Sequence, residues 1–158
     1  MADTRVGLGF DSHLRDEGRS LRLGGVEFEG EPGLAGHSDG DVACHALADA
    51  LLGAAARGDL GQHFPEEDPT IEGLPGLELL GRVVSLLRDA GFAPVTCDLV
   101  VIADRPRLAD RRDEIRRSLA GKLGVPEEGV SVKATRPEGL GLNGDGIACM
   151  AVATIDRR

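Results

Sequence analysis

Between residues 41 and 56, apolar side chains fall at Val42, Cys44, Ala46, Leu47, Ala50, Leu51 and Ala54, the three-and-four spacing of a helix with one buried face. Ser38 and Asp39 stand before it as capping candidates, and Gly58 follows as a stop. The same period predicts helices over residues 77–90, closed by Gly91, and 109–123, closed by Gly124. Residues 5–11, 95–103, 130–134 and 147–155 read as strands, the later ones β-branched and apolar, with a Gly-rich loop before the last. Residues 21–28 alternate around Gly24-Gly25 as a strand pair or a kinked strand. Strands first, then helix and strand in alternation, predict an α+β fold: a single mixed sheet with helices packed on one face. The absence of a linker, repeat or low-complexity tract makes residues 1–158 one expected domain.

Composition sharpens this picture. With four Phe and no Trp or Tyr, the core must be aliphatic and its burial modest, which favours subunit contacts as a further source of stability. A net charge of −9, from 18 basic and 27 acidic residues, argues against nucleic acid as a partner. A phosphate compound remains a suitable ligand if metals and amides reverse the field locally. Cys44, Cys97 and Cys149 are odd in number and far apart, without a Cys-x-x-Cys pair, so they read as small buried residues in a reducing compartment. No apolar run approaches a membrane span and the start lacks a signal region, so no membrane contact and a cytoplasmic location are expected.

Candidate chemistry gathers in two places. Asp11 and His13 are two apart on a strand ending, so their side chains share a side. Asp41, His45 and Asp49 fall at steps of four along one helical face. Two imidazoles and a carboxylate are a donor set for a catalytic zinc, with the fourth position left for water or substrate. Asp49 is a candidate hydrogen-bond partner behind His45. Such short spacings are common on ordinary surfaces, but Gly36-His37-Ser38-Asp39-Gly40-Asp41 is too polar for core and too Gly-rich for a chance helix entry. It sets His37 and Ser38 at a helix N-terminus, a natural anion site.

Taken together these residues resemble the 2-C-methyl-D-erythritol 2,4-cyclodiphosphate synthase family of the non-mevalonate isoprenoid pathway. The resemblance rests on Gly9-Phe10-Asp11-Ser12-His13, on His37 to Ala43 with His45-Ala46-Leu47 and Asp49 to Ala54, and on Gly58-Asp59-Leu60-Gly61 leading to Phe64-Pro65. It continues through Arg105-Pro106-Arg107-Leu108, Val132-Lys133-Ala134-Thr135, Glu138 and Gly146-Ile147-Ala148, so it covers essentially the whole chain.

The resemblance implies a lyase that converts 4-diphosphocytidyl-2-C-methyl-D-erythritol 2-phosphate to the cyclic diphosphate and CMP. It implies zinc on Asp11, His13 and His45, and a second divalent ion, magnesium or manganese, on Glu138. His37 and Ser38 become a loop over the substrate, with His37 stabilising the transition state. Asp59, Leu60 and Gly61 hold the methylerythritol, with Phe64, Pro65 and Asp68 nearby; Ala103, Pro106, Arg107, Leu108 and Ala109 form the cytidine pocket, and Thr135 and Arg136 face phosphate. A homotrimer with sites between subunits follows from the same likeness.

The sequence departs from that family in three places. Arg136 replaces a threonine beside the phosphates, where it can donate charge-assisted hydrogen bonds. Arg107 stands where lysine is common. The run Gly141-Leu142-Asn143-Gly144-Asp145-Gly146 is two residues short and lacks the arginine and phenylalanine that line a central trimer cavity. The first and last departures leave a non-catalytic metal-binding or ligand-sensing trimer as the alternative; a generic zinc hydrolase would explain the three ligands but not the extended match. Gly139-x-Gly141-x-x-Gly144 fits a dinucleotide fingerprint but precedes a strand, so it is rejected. His63 reads as a loop residue, and Arg111, Arg112, Arg116 and Arg117 as a solvated helix face.

Overall fold

The computed structural model describes residues 3–141 and 145–158. Strand β1 (Thr4–Leu23) turns at Gly24-Gly25 into β2 (Val26–Leu34). Then follow α1 (Val42–Ala54), the one-turn α2 (Leu60–His63), α3 (Gly76–Asp89), β3 (Phe92–Ile102), α4 (Arg112–Leu123), β4 (Val130–Thr135) and β5 (Gly146–Arg157). The strands form one sheet in the order β2-β1-β5-β3-β4, parallel between β3 and β4 and antiparallel elsewhere. The fold is therefore the expected α+β arrangement around one mixed sheet.

Strand β1 is the main surprise, because it runs far beyond Asp11. Through Leu14 it pairs with β5, and from Arg15 onward it pairs with β2. Residues 15–20 are polar and largely solvated, so they carry no alternation by which to recognise a strand, while the buried Leu21 and Leu23 belong to the stretch that alternation does mark. Asp11 and His13 accordingly stand in mid-strand, not at a strand ending, although the shared-side argument survives. Gly24 and Gly25 both have positive φ, 60° and 79°, which suits a two-residue hairpin turn. The last expected helix starts three residues late, because residues 108–111 form a separate turn closed by the Arg111 amide on the Leu108 carbonyl.

Helix α1 lies on β1 at backbone distance. A Cβ on Gly7 would strike the Ala50 carbonyl and one on Gly9 the Ala46 carbonyl. Only hydrogen at those two positions lets the helix settle so low, and Ala43, Ala46 and Ala50 keep its underside equally small. The core continues through Leu47, Leu51, Leu80, Leu87, Leu99, Leu119 and Ile155. Cys44, Cys97 and Cys149 are buried and free, and burial pushes the Cys97 thiol up to about 12.

The opposite face of the sheet is bare. Val6, Leu8, Phe10 and Leu14 of β1 are each more than half exposed, beside the partly exposed Met150 and Val152 of β5. Among the described residues, no helix is long and apolar enough to cross a membrane.

Candidate active site

The sinking of α1 onto β1 brings His45 against Asp11. His45 Nδ1 lies 3.1 Å and His13 Nε2 2.9 Å from the same carboxylate oxygen, Asp11 Oδ2. The other ring nitrogen of His45, Nε2, meets Ser38 Oγ at 3.0 Å. Ligand atoms of Asp11, His13 and His45 all fall within 4.8 Å of one another, so three residues from two elements, β1 and α1, converge on one point.

The chemistry of this cluster fits a cation. His13 Nε2 is buried without a well-formed hydrogen bond, since its approach to Asp11 is close but out of line. Burial raises the Asp11 pKa, yet the two imidazoles more than offset it and hold the carboxyl at about 2. Burial lowers the His45 pKa, and hydrogen bonding to Asp11 with the charges of Asp11, Asp41 and Asp39 drives it above the ordinary value instead. An anion fixed between two nitrogens, one of them unsatisfied, is a set of nitrogen and oxygen donors that could hold a metal ion.

The cluster opens into a cavity of about 180 Å³, walled by His37, Ser38, Leu60, Gly61 and Phe64, with Glu66, Ile71 and Leu79 completing it. Ile71 and Leu79 were not legible as site residues; they are ordinary apolar positions of a turn and a helix. Asp59, Pro65 and Asp68 do not line this cavity. Asp59 caps α2 through the Gln62 amide, and Asp68 caps the turn at Thr70. The Asp68 carbonyl lies 3.4 Å from His37 Nε2.

Three local readings need correction. The N-cap of α1 is Asp41, not Ser38 or Asp39: its carboxylate accepts from Cys44 N at 3.0 Å and from Gly24 N and Gly25 N at 2.8 Å. That buried carboxylate fills the helix end, so α1 offers no anion site there. Asp49 does not support His45 but accepts the Leu60 amide at 3.1 Å, tying α2 to α1.

A second cavity, of about 360 Å³, gathers Ala103, Pro106, Arg107, Leu108 and Ala109 with Thr135 and Arg136, where β3 and β4 end. Glu138, at a positive φ of 51°, lines neither cavity. Asp11, Cys149, Val101 and Ala134 form one row across four strands, which puts the two sites roughly 14 Å apart along the sheet. Within one chain the metal cluster and the Thr135–Arg136 edge are therefore separate. The shortened run around Gly141 to Gly146 includes residues 142–144, which lie outside the described residues.

Comparison with known proteins agrees with this geometry. The model of the YgbB family matches residues 4–156. The 2-C-methyl-D-erythritol 2,4-cyclodiphosphate synthase of Symbiobacterium thermophilum is 50% identical over 155 residues, covering 97% of this chain and 99% of the relative. The bifunctional enzyme IspD/IspF of an Anaeromyxobacter species is 49% identical over 158 residues, and the chain spans only 41% of that longer relative. A solved 2C-methyl-D-erythritol-2,4-cyclodiphosphate synthase in its CDP-bound form superposes with a TM-score of 0.88 at 36% identity, covering 96% of this chain and all of the other. The chain belongs to the YgbB family, that of the 2-C-methyl-D-erythritol 2,4-cyclodiphosphate synthases.

Proposed function

We propose that this chain, as one domain, converts 4-diphosphocytidyl-2-C-methyl-D-erythritol 2-phosphate to 2-C-methyl-D-erythritol 2,4-cyclodiphosphate and CMP. An oxygen of the substrate's own 2-phosphate attacks the β-phosphorus, the bond from that phosphorus to the oxygen shared with the α-phosphate breaks, and CMP leaves with that oxygen. No nucleophile from the protein is needed, so the protein's task is alignment and charge neutralisation. The observation that carries this reading is the Asp11, His13 and His45 cluster opening into the His37–Ser38 cavity.

Asp11, His13 and His45 would hold zinc, which supplies positive charge and orientation to the β-phosphate. His37 faces the reacting phosphates and steadies their charge, while Leu60, Gly61 and Phe64 close round the methylerythritol. Ala103 to Ala109 receive the cytidine, Thr135 and Arg136 contact the diphosphate, and Glu138 holds the second divalent ion, magnesium or manganese. The CDP named with the solved relative supports a cytidine nucleotide as ligand.

The bare apolar face of β1 and β5 supports a homotrimer, in which the cytidine pocket of one chain serves the metal cluster of the next. The 14 Å separation within one chain supports the same division. The buried free thiols suit a reducing cytoplasm.

Incubation with the cytidine diphosphate substrate, zinc and magnesium should yield CMP and the cyclic diphosphate in equal amounts, followed by phosphorus NMR. Absence of turnover by the folded, metal-loaded protein refutes the activity, and CMP with an open-chain product makes it a hydrolase. Leu8→Glu should convert a trimer to monomers in sedimentation and abolish turnover; an unchanged mass refutes the assembly.

A further inference from the structure

We propose that Arg19 is a positioning residue that fixes the His37–Ser38 loop over the metal cluster. The inference rests on the proposed role of that loop in the reaction, and it concerns a side chain that lines neither the cavity beside the Asp11, His13 and His45 cluster nor the one at Thr135 and Arg136.

The placement of Arg19 begins in an irregularity of the hairpin. Asp16 pairs with Gly33 and Ser20 with Pro32, so three residues of β1, 17–19, stand opposite no partner of their own. The bulge turns Arg19 toward the loop that follows β2. A Cβ at position 33 would come within 2.7 Å of Arg19 Cβ, so Gly33 is what lets the bulge lie flat on β2.

From there Arg19 Nη1 donates to the Ser38 carbonyl at 2.7 Å, and Arg19 Nε faces Asp16 Oδ2 at 3.3 Å. The guanidinium thus donates to one acceptor on the loop while in ion-pair range of Asp16, which makes its hold on the loop directional. The opposite side of the loop is fastened by Gly73 N to the His37 carbonyl at 2.9 Å and Asp39 N to the Leu74 carbonyl at 3.2 Å, with the Asp39 carboxylate accepting from Gly76 N at 2.9 Å and His37 Nε2 lying 3.4 Å from the Asp68 carbonyl. Arg19 therefore supplies the side-chain fastening on the β1 side. Its target residue is the one whose Oγ meets His45 Nε2, so a shift of Ser38 moves the contact to a proposed metal ligand as well as the adjoining His37. A catalytic loop displaced by a fraction of an ångström loses rate before it loses affinity, because the nucleotide is bound elsewhere.

The test compares the zinc-loaded full chain with Arg19→Ala, Arg19→Lys and Gly33→Ala, by amide hydrogen exchange of residues 36–40 and by steady-state kinetics. In Arg19→Ala, exchange across 37–40 should quicken about tenfold while α1 stays protected, and kcat should fall about tenfold with KM and bound zinc within twofold. Arg19→Lys, which keeps one donor, should recover at least a third of kcat, and Gly33→Ala should mimic Arg19→Ala. Unchanged exchange in 36–40 overturns the proposal, as does quickened exchange with unchanged kcat. Loosening that spreads through α1, with no recovery in Arg19→Lys, overturns it in favour of a merely structural role. If the parent itself gives no product, the proposed activity fails, while the exchange data alone still decide whether Arg19 holds the loop.

Discussion

Asp11, His13 and His45 stand on a strand and a helix pressed together at backbone distance, whereas Thr135, Arg136 and residues 103–109 sit where two strands run out at the sheet edge. At the first place the packing of glycine against helix leaves the functional side chains little freedom. At the second, loops carry exposed residues, and Glu138, at a positive φ, lines neither cavity. The lesson is one of completeness: the donor atoms of Asp11, His13 and His45 are gathered within one chain, whereas the cavity at Thr135 and Arg136 gathers no such cluster.

The sharpest way to break this comparison is His45→Ala. It should lower turnover about a thousandfold, about 4 kcal/mol, and reduce bound zinc below about a tenth of an equivalent, with the far-UV spectrum unchanged. Zinc retained at full stoichiometry would mean that the metal end is not where the geometry puts it. Gly9→Ala comes next, since its new methyl meets the Ala46 carbonyl. A loss of about 3 kcal/mol in denaturant unfolding, with weakened zinc binding, is expected; a neutral substitution would show that helix and strand are less tightly joined than described.

Acid titration of the metal-free protein tests the cluster from another side. The Asp11 carboxyl is held at about 2 against an ordinary value of 3.8, so the folded state favours the ionised form. The stability from Asp11, about 2 kcal/mol, is complete above about pH 4 and is lost as the pH falls through about 2. Asp11→Asn should flatten that limb of the stability curve, and an identical acid limb in the variant would refute the pairing.

At the other end, Arg136→Ala should weaken CDP about tenfold, about 1.4 kcal/mol, by calorimetry, and leave zinc content alone. If zinc binding suffered too, the two ends would not be separable. The smallest effect is a gain. Gly121, within α4, has open space around its Cβ position, so Gly121→Ala should stabilise by about 0.5–1 kcal/mol, in contrast to Gly9→Ala; a loss of stability would refute the packing described for α4.

The same division decided what the sequence disclosed. The period of α3 was legible because that helix buries one face, α1 was legible by the spacing of its larger apolar residues although nearly every position is buried, and Asp11, His13 and His45 were legible because i, i+2 spacing and a helical position suffice to aim them. Residues 15–20 of β1 were not, since a solvated stretch of strand has no alternation. Asp41 was misread because its cap partners, Gly24 and Gly25, lie in a turn distant in sequence. Asp49 was misread for the reverse reason: spacing places it near His45, but the Leu60 amide, eleven residues on, competes successfully for its oxygen. Ile71 and Leu79 enter the cavity only through the docking of their elements.

The glycines beneath α1 also bear on the size of ion that the proposed metal site would accept. With helix and strand already in contact, Asp11 and His45 have a fixed bite, and the pair cannot spread to welcome a larger guest. Bonds of about 2.0–2.2 Å, as zinc makes to nitrogen and oxygen, suit such a jaw, while calcium, at about 2.3–2.6 Å and with its appetite for six or more oxygens, does not. If the cluster holds the proposed zinc, two missing methyl groups on a strand would act as a sieve for cation size.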